Sequence, residues 1–310
     1  MARKSLVPLV LLVIAACGGD EGTRDAAAMD EGTRDAAAVD EGALDAATVD
    51  EGTLDAAAQD EAPTAVDPCT MLFGRPNSST GLTSAQCRPE CACGADTWTA
   101  PSYDDEFIHS LIDDWVLAEP LPELTADPYL TPPPPEDPPD AVCAVLPGAP
   151  ATPRSYQLVT YASAAEARAA GASPTHFGHC GLCSTLANLA VFIQNSDLTA
   201  PVRTCGVLGM LQGDSANLAC LVALGFERPC AQIWLYNTLH TRTACLDVCM
   251  SGLGGSYNQP DGTLSPCLRC DEEQSGPVFK AVSGRTRRNS GLATAICRPC
   301  SETRPLVHDY

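Results

Sequence analysis

Apolar positions are spread unevenly along the 310-residue chain. Residues 5–16 form one apolar stretch behind Arg3 and Lys4. At about twelve residues it is too short for a bilayer core of about 30 Å, which takes roughly 20 residues of helix. It predicts instead the apolar core of an export signal covering residues 1–16. Over residues 18–67 large apolar side chains almost disappear. They return at Phe107, Ile108, Leu111, Ile112 and Trp115, whose helical spacing predicts one amphipathic helix. Residues 121–140 are proline-rich and predict a semi-rigid extended spacer. From Val142 onward, roughly 170 residues are enough for a single core.

In that last stretch the pattern is mostly helical. Residues 155–161 predict a strand and 164–172 a short helix. Residues 183–194 predict a second helix with Leu186, Leu189, Ala190 and Ile193 on one face, and 217–226 a third. Pro229 sits where the first turn of a longer helix tolerates it, extending to about Met250. Cys230, Trp234, Asn237, Thr241, Cys245 and Cys249 fall along one stripe of that helix. The tail from Cys267 has glycine-rich turns, and the run 278–282 predicts a hairpin. The expected fold class is mainly α with minor β: a small disulfide-rich helical domain after a disordered acidic tether. Its divisions are a tether (17–67), a small cysteine-rich module (68–118), a linker (119–141) and a main domain (142–310).

Charge sharpens the reading of the tether. From Asp20 the chain repeats DEGTRDAAAM, DEGTRDAAAV, DEGALDAATV and DEGTLDAAAQ. Residues 18–67 hold fifteen carboxylates against Arg24 and Arg34, a balance of −13 in a chain of net charge −21. Without large apolar groups, and with a glycine in each unit, such a segment cannot offset its ordering entropy. As a flexible coil it would reach roughly 40 Å, and more as its charges repel. The same acidity excludes nucleic acid as a partner.

The residues Ile14-Ala15-Ala16-Cys17 resemble the lipobox of bacterial lipoproteins. The resemblance implies cleavage before Cys17 and acylation of its sulfur and its new amino group. Several acyl chains anchor firmly where one, at ~0.8 kcal/mol per buried CH₂, is marginal. Gly18 rather than aspartate follows, which by resemblance to the family's sorting rule implies the outer membrane. The expected location is the bacterial cell envelope, with the membrane as partner through the anchor.

Seventeen cysteines minus the lipidated one leave sixteen. In an exported protein, paired disulfides are the default. Twelve lie in the main domain and four, Cys69, Cys87, Cys91 and Cys93, in the small module, so each region can close internally. Cys245 and Cys249, one turn apart, are expected to staple their helix to two other segments. Each closed loop contributes about 2–4 kcal/mol by restricting the unfolded chain.

The densest chemistry is HFGHCGLCS, from His176 to Ser184. Cys180-Gly-Leu-Cys183 resembles the C-G-x-C redox pair of thioredoxin-like proteins, at an expected helix start whose dipole, with His179, would stabilise thiolate. The preceding AAGASPTHFGH predicts no strand. The same residues resemble the G-x-C-G-x-C start of the catalytic helix in papain-like peptidases. That implies Cys183 as nucleophile and Cys180 as a disulfide half. Phe177 stands where that family has its oxyanion glutamine, and Ser184 where it has tryptophan. His240 is a candidate base, and Asn237 lies one turn before it. As a metal site, His176, His179, Cys180 and Cys183 offer donors suited to Zn²⁺ or Cu(I).

Two other clusters carry chemistry. Cys267, Cys270, Cys297 and Cys300 form two C-x₂-C pairs that could enclose Zn²⁺ in a reduced protein. Arg285, Arg287 and Arg288, in SGRTRRNSG, could fork onto a small anionic ligand. Two functional classes follow. One is a surface-displayed, disulfide-stapled binding or structural lipoprotein, needing no cofactor, whose partner is a small anion or an envelope protein. The other is an envelope enzyme, a thiol–disulfide oxidoreductase or cysteine hydrolase, centred on Cys180 and Cys183. Composition alone accounts for the first.

Overall fold

The computed structural model describes residues 71–310 apart from 94, 95 and 133–136. The signal, Cys17, the acidic repeats and Cys69 lie outside the described residues, as does the side chain of Cys93.

The chain before Val142 and the chain after it build one fold. β1 (Leu72–Phe73) lies between β2 (Cys87–Arg88) and β9 (Arg298–Pro299), parallel to the first and antiparallel to the second. Cys87 bonds to Cys297, and Cys91, on β3 (Glu90–Cys93), bonds to Cys300, across 210 and 209 residues of sequence. The expected self-contained module is therefore corrected. Cys87 and Cys91 close onto the tail of the main domain, because the tail runs antiparallel beside β1 and brings Cys297 and Cys300 within bonding reach.

The amphipathic stripe forms α1 (Asp105–Asp113). Asp104 caps it, accepting from Phe107 N at 2.8 Å, and Ile108 and Leu111 are buried against α3 (Leu186–Gln194). Trp115 leaves the helix and opens β5 (Trp115–Leu117), which pairs in parallel with β7 (Arg154–Tyr161). The sheet is completed by β6 (Val142–Pro147) and β8 (Ser173–Phe177), in the order β5-β7-β6-β8. α2 (Ala164–Ala169) connects β7 to β8 and packs Ala167 against the sheet.

After α3 the chain is helical: α4 (Thr199–Gln212), α5 (Asp214–Ala223), α6 (Arg228–Ser251), α7 (Pro266–Gln274) and α8 (Gly276–Ser283). Leu186, Leu189, Leu221 and Ile233 are fully enclosed where α3, α5 and α6 meet. Each such side chain contributes about 1.5–3 kcal/mol on burial. The expected mainly helical, disulfide-rich class holds. Sequence patterning missed α4, whose apolar residues surround the helix rather than marking a face. It also read the run 278–282 as a hairpin. That run is α8, with a proline in its first turn and Val278, Phe279 and Val282 turned inward. Cys245 and Cys249 staple α6 to one helix, not two segments, through Cys270 and Cys267 on α7.

The linker is docked rather than spacing two domains. Leu124 N donates to Gln232 Oε1 at 2.7 Å, and Arg228 pairs with Glu123 at 2.8 Å. Tyr129 stacks on His240 with ring centroids 4.3 Å apart. A chain beginning at Val142 loses α1, β5 and the partners of Cys297 and Cys300. It is expected to give free or mispaired sulfurs at those two positions and no cooperative melting. Alkylation mapping with thermal denaturation followed by circular dichroism checks this; a native-like transition would restore the two-domain organisation.

Candidate functional site

The HFGHCGLCS stretch begins on a strand after all. β8 pairs with β6 through Val142–Phe177 and Cys143–His176, and its inner residues Thr175 and His176 are sealed. Gly178, at φ +90°, then turns the chain into the loop. α3 starts only at Leu186, behind the cap Thr185, which accepts from Asn188 N. Neither cysteine therefore lies in the first helical turn.

The loop is pinned from both ends. Cys180 bonds to Cys143 on β6, and Cys183 bonds to Cys230 in the first turn of α6. Cys183 is completely buried. These pairings correct the redox and nucleophile expectations for Cys180 and Cys183. The two sulfurs serve different partners, and neither is a thiol. β8 lies against β6 and delivers Cys180 to Cys143, while α3 packs against the start of α6.

The histidines serve the same closure. His176, fully buried, donates from Nδ1 to Phe177 O at 2.9 Å, and its Nε2 lies 2.7 Å from Ser184 Oγ, which also accepts from Gly181 N. Its pKa is held well below the usual value, first by burial and then by the Arg285 charge. His179 places its ring nitrogens 2.6 Å from Asp137 Oδ2 and 2.7 Å from Ala281 O, joining the linker to α8. The expected convergence of His176, His179, Cys180 and Cys183 on a metal is therefore corrected: both sulfurs are bonded and both imidazoles have protein partners. Among the described residues, no three His, Cys, Asp or Glu side chains form a metal-holding group.

Arg285 sits at the centre. Its guanidinium is fully buried and makes five hydrogen bonds: to the carbonyls of Thr175, Cys183 and Ser184, to Thr175 Oγ1 and to Ser290 Oγ, at 2.6–3.3 Å. Burial pushes its pKa down to about 10. Gly284 and Gly181 let this segment approach the loop, since a Cβ on Gly181 would stand 2.5 Å from Gly284 N. His308 and Tyr310 extend the cluster. His308 Nε2 donates to Ser290 O at 3.0 Å, and Tyr310 Oη lies 2.7 Å from Thr175 Oγ1. Burial pushes His308 down to about 3.

The expected anion site is thus corrected for Arg285, whose donors are spent inside the protein, and for Arg288, which pairs with Glu272 at 2.6 Å and Glu302 at 2.8 Å. Arg287 turns elsewhere, its guanidinium carbon 5.6 Å from the Phe192 ring. The zinc expectation is corrected as well, since Cys267, Cys270, Cys297 and Cys300 belong to four separate disulfides. His240 and Asn237 come together, but with α7 and the linker rather than with Cys183. His240 Nδ1 lies 3.0 Å from Ser275 Oγ. Tyr129 Oη donates to Asn237 Oδ1 at 2.8 Å, and Asn237 Nδ2 donates to Asp271. Asp271 is pushed above the usual carboxylate range, chiefly by burial.

Sequence reasoning missed Asp137, Thr175, Glu227 and Tyr156, all partners of this region. It also missed a cavity of about 280 Å³ against β6, lined by Trp115, Arg154 and Tyr310 among others. The one available signal was arginine clustering between glycines in an acidic chain.

Residues 214–305 match the model of a family of unknown function (DUF8771), a span running from α5 past β9. No curated protein and no solved structure matches the chain.

Removing the fork from Arg285 is expected to destabilise strongly. Breaking a buried charged network costs about 3–5 kcal/mol, so Arg285→Lys should lower the denaturant midpoint nearly as far as Arg285→Met. A lysine as stable as the native residue would show that charge alone suffices.

A second expectation concerns acid. His308 and His176 are neutral when folded and have folded pKa values below the unfolded value of about 6.5. Their contribution is complete above that value and is lost as pH falls toward about 3 for His308. Denaturation between pH 7 and 5 should show stability falling by roughly 1.4 kcal/mol per unit per histidine once below pH 6.5. His308→Gln should flatten that slope; an unchanged slope would contradict it.

Proposed function

We propose that this chain is an envelope-anchored lipoprotein that displays a disulfide-stapled binding or structural domain at the end of an acidic spacer. The observation that carries the reading is the pairing of every described cysteine side chain, fourteen in seven disulfides. Such a set fits a domain that folds outside the reducing cytoplasm. It is supported by the apolar leader ending at Cys17 and by the repeats that follow. No helix among the described residues is long and apolar enough to cross a membrane; in this reading the chain is attached through Cys17.

The binding or structural role is preferred over thiol chemistry because the one sequence stretch that suggested catalysis is closed by two disulfides and a buried arginine. Its residues support shape, and the exposed surfaces of the domain are left to meet a partner.

The test uses the full chain made in a Gram-negative host. Metabolically supplied palmitate should label it, and Cys17→Ser should abolish the label. Protease added to intact cells should release the folded domain. Intact mass after thiol alkylation without reduction should show no adduct at the fourteen paired positions. Labelling that persists in Cys17→Ser, or several adducts on the native protein, would overturn the reading.

A further inference from the structure

The cavity of about 280 Å³ beside β6 falls just below the usual size of ligand cavities, about 300–1,000 Å³. Its walls are Val145 of β6, Trp115 of β5, Pro150 of the β6–β7 turn and Tyr310 of the tail. Val145 and Trp115 are buried and Pro150 is conformationally fixed, so the apolar part is built rather than incidental.

Two charged groups line this cavity. The Arg154 guanidinium stands 3.9 Å over the Trp115 ring, held there by cation–π attraction, and makes no ion pair among the described residues. Asp309, an exposed carboxylate on the same lining, is likewise unpaired. Opposite charges at one cavity that pair neither with each other nor with anything else suit a ligand carrying both. The guanidinium addresses an oxygen anion, the carboxylate addresses an ammonium, and the apolar walls address a short aliphatic or aromatic group.

We propose that the Trp115–Arg154–Asp309 cavity binds a small zwitterion, a free α-amino acid with an apolar side chain. Its carboxylate lies toward Arg154, and its ammonium toward Asp309. This rests on the binding role proposed above and gives it a ligand class.

Calorimetric titration of the detergent-solubilised full chain with L-leucine and L-phenylalanine tests it, with L-leucinamide and N-acetyl-L-leucine as blocked analogues. The free amino acids are expected to bind, and each blocked analogue to bind at least tenfold more weakly. Arg154→Gln should erase the difference between leucine and leucinamide alone, and Asp309→Asn the difference between leucine and N-acetyl-leucine alone. Both side chains are exposed, so neither change threatens the fold. Absence of binding by either amino acid, or equal binding of free and blocked forms, would overturn the assignment. Loss of palmitate labelling with leucine binding intact would sink the anchoring and spare the site; the reverse outcome would sink the site and spare the anchoring.

Discussion

A single cation sealed in the interior governs how the pieces of this protein meet. Among the described residues Arg285 has no carboxylate partner; its charge is met by three backbone carbonyls and two hydroxyls. Taking such a group out of water costs several kcal/mol unless every donor is satisfied. The acceptors must therefore be held in place before the cation can be tolerated. They come from β8, from the loop after it and from the turn at Ser290, so the arginine is satisfied only when all three are assembled. It acts as a condition on correct folding more than as a source of net stability. The neutral state of His176 follows first from its burial, and the Arg285 charge reinforces it by repelling a second positive charge.

The disulfides work with that condition. Cys143–Cys180 and Cys183–Cys230 fix the loop that supplies two of the carbonyls, on opposite flanks, to the sheet and to α6. The three C-x-x-C spacings therefore have structural meaning without any pair bonding internally. Three residues along a turn or helix separate two sulfurs enough to reach two different neighbours. On α6 and α7 the same spacing logic gives a double cross-link between two helices.

What could be read from the amino acids alone was whatever depends on near neighbours. The stripe from Phe107 to Leu111 gave α1, the alternation through Tyr156 and Leu158 gave β7, and Pro229 placed the start of α6 correctly. The partners of the cysteines could not be read, because pairing across some 210 residues depends on how the sheet and the tail return, which no local spacing encodes. β8 escaped because its buried residues are Pro174, Thr175 and His176, a strand breaker and two polar groups that a hydrophobic pattern assigns to turns and the surface. Arg285 escaped for the same reason. A run of arginines looks solvated, and only the completed fold supplies the carbonyls that let one of them turn inward. His240 and Asn237 were read as partners for Cys183; the linker tyrosine that covers them instead lies more than a hundred residues away in sequence.

The bridge between Cys87 and Cys297 has a mechanical meaning. A pull applied at the amino-terminal end, against a hold anywhere in the body, reaches Cys87 and divides between two covalent routes, the onward chain and the crossing to the tail. Among the described residues, only those ahead of Cys87 can be peeled out in series; the loop behind it carries load in parallel. Such an arrangement limits how far the domain can be drawn out and lets it keep its shape under shear.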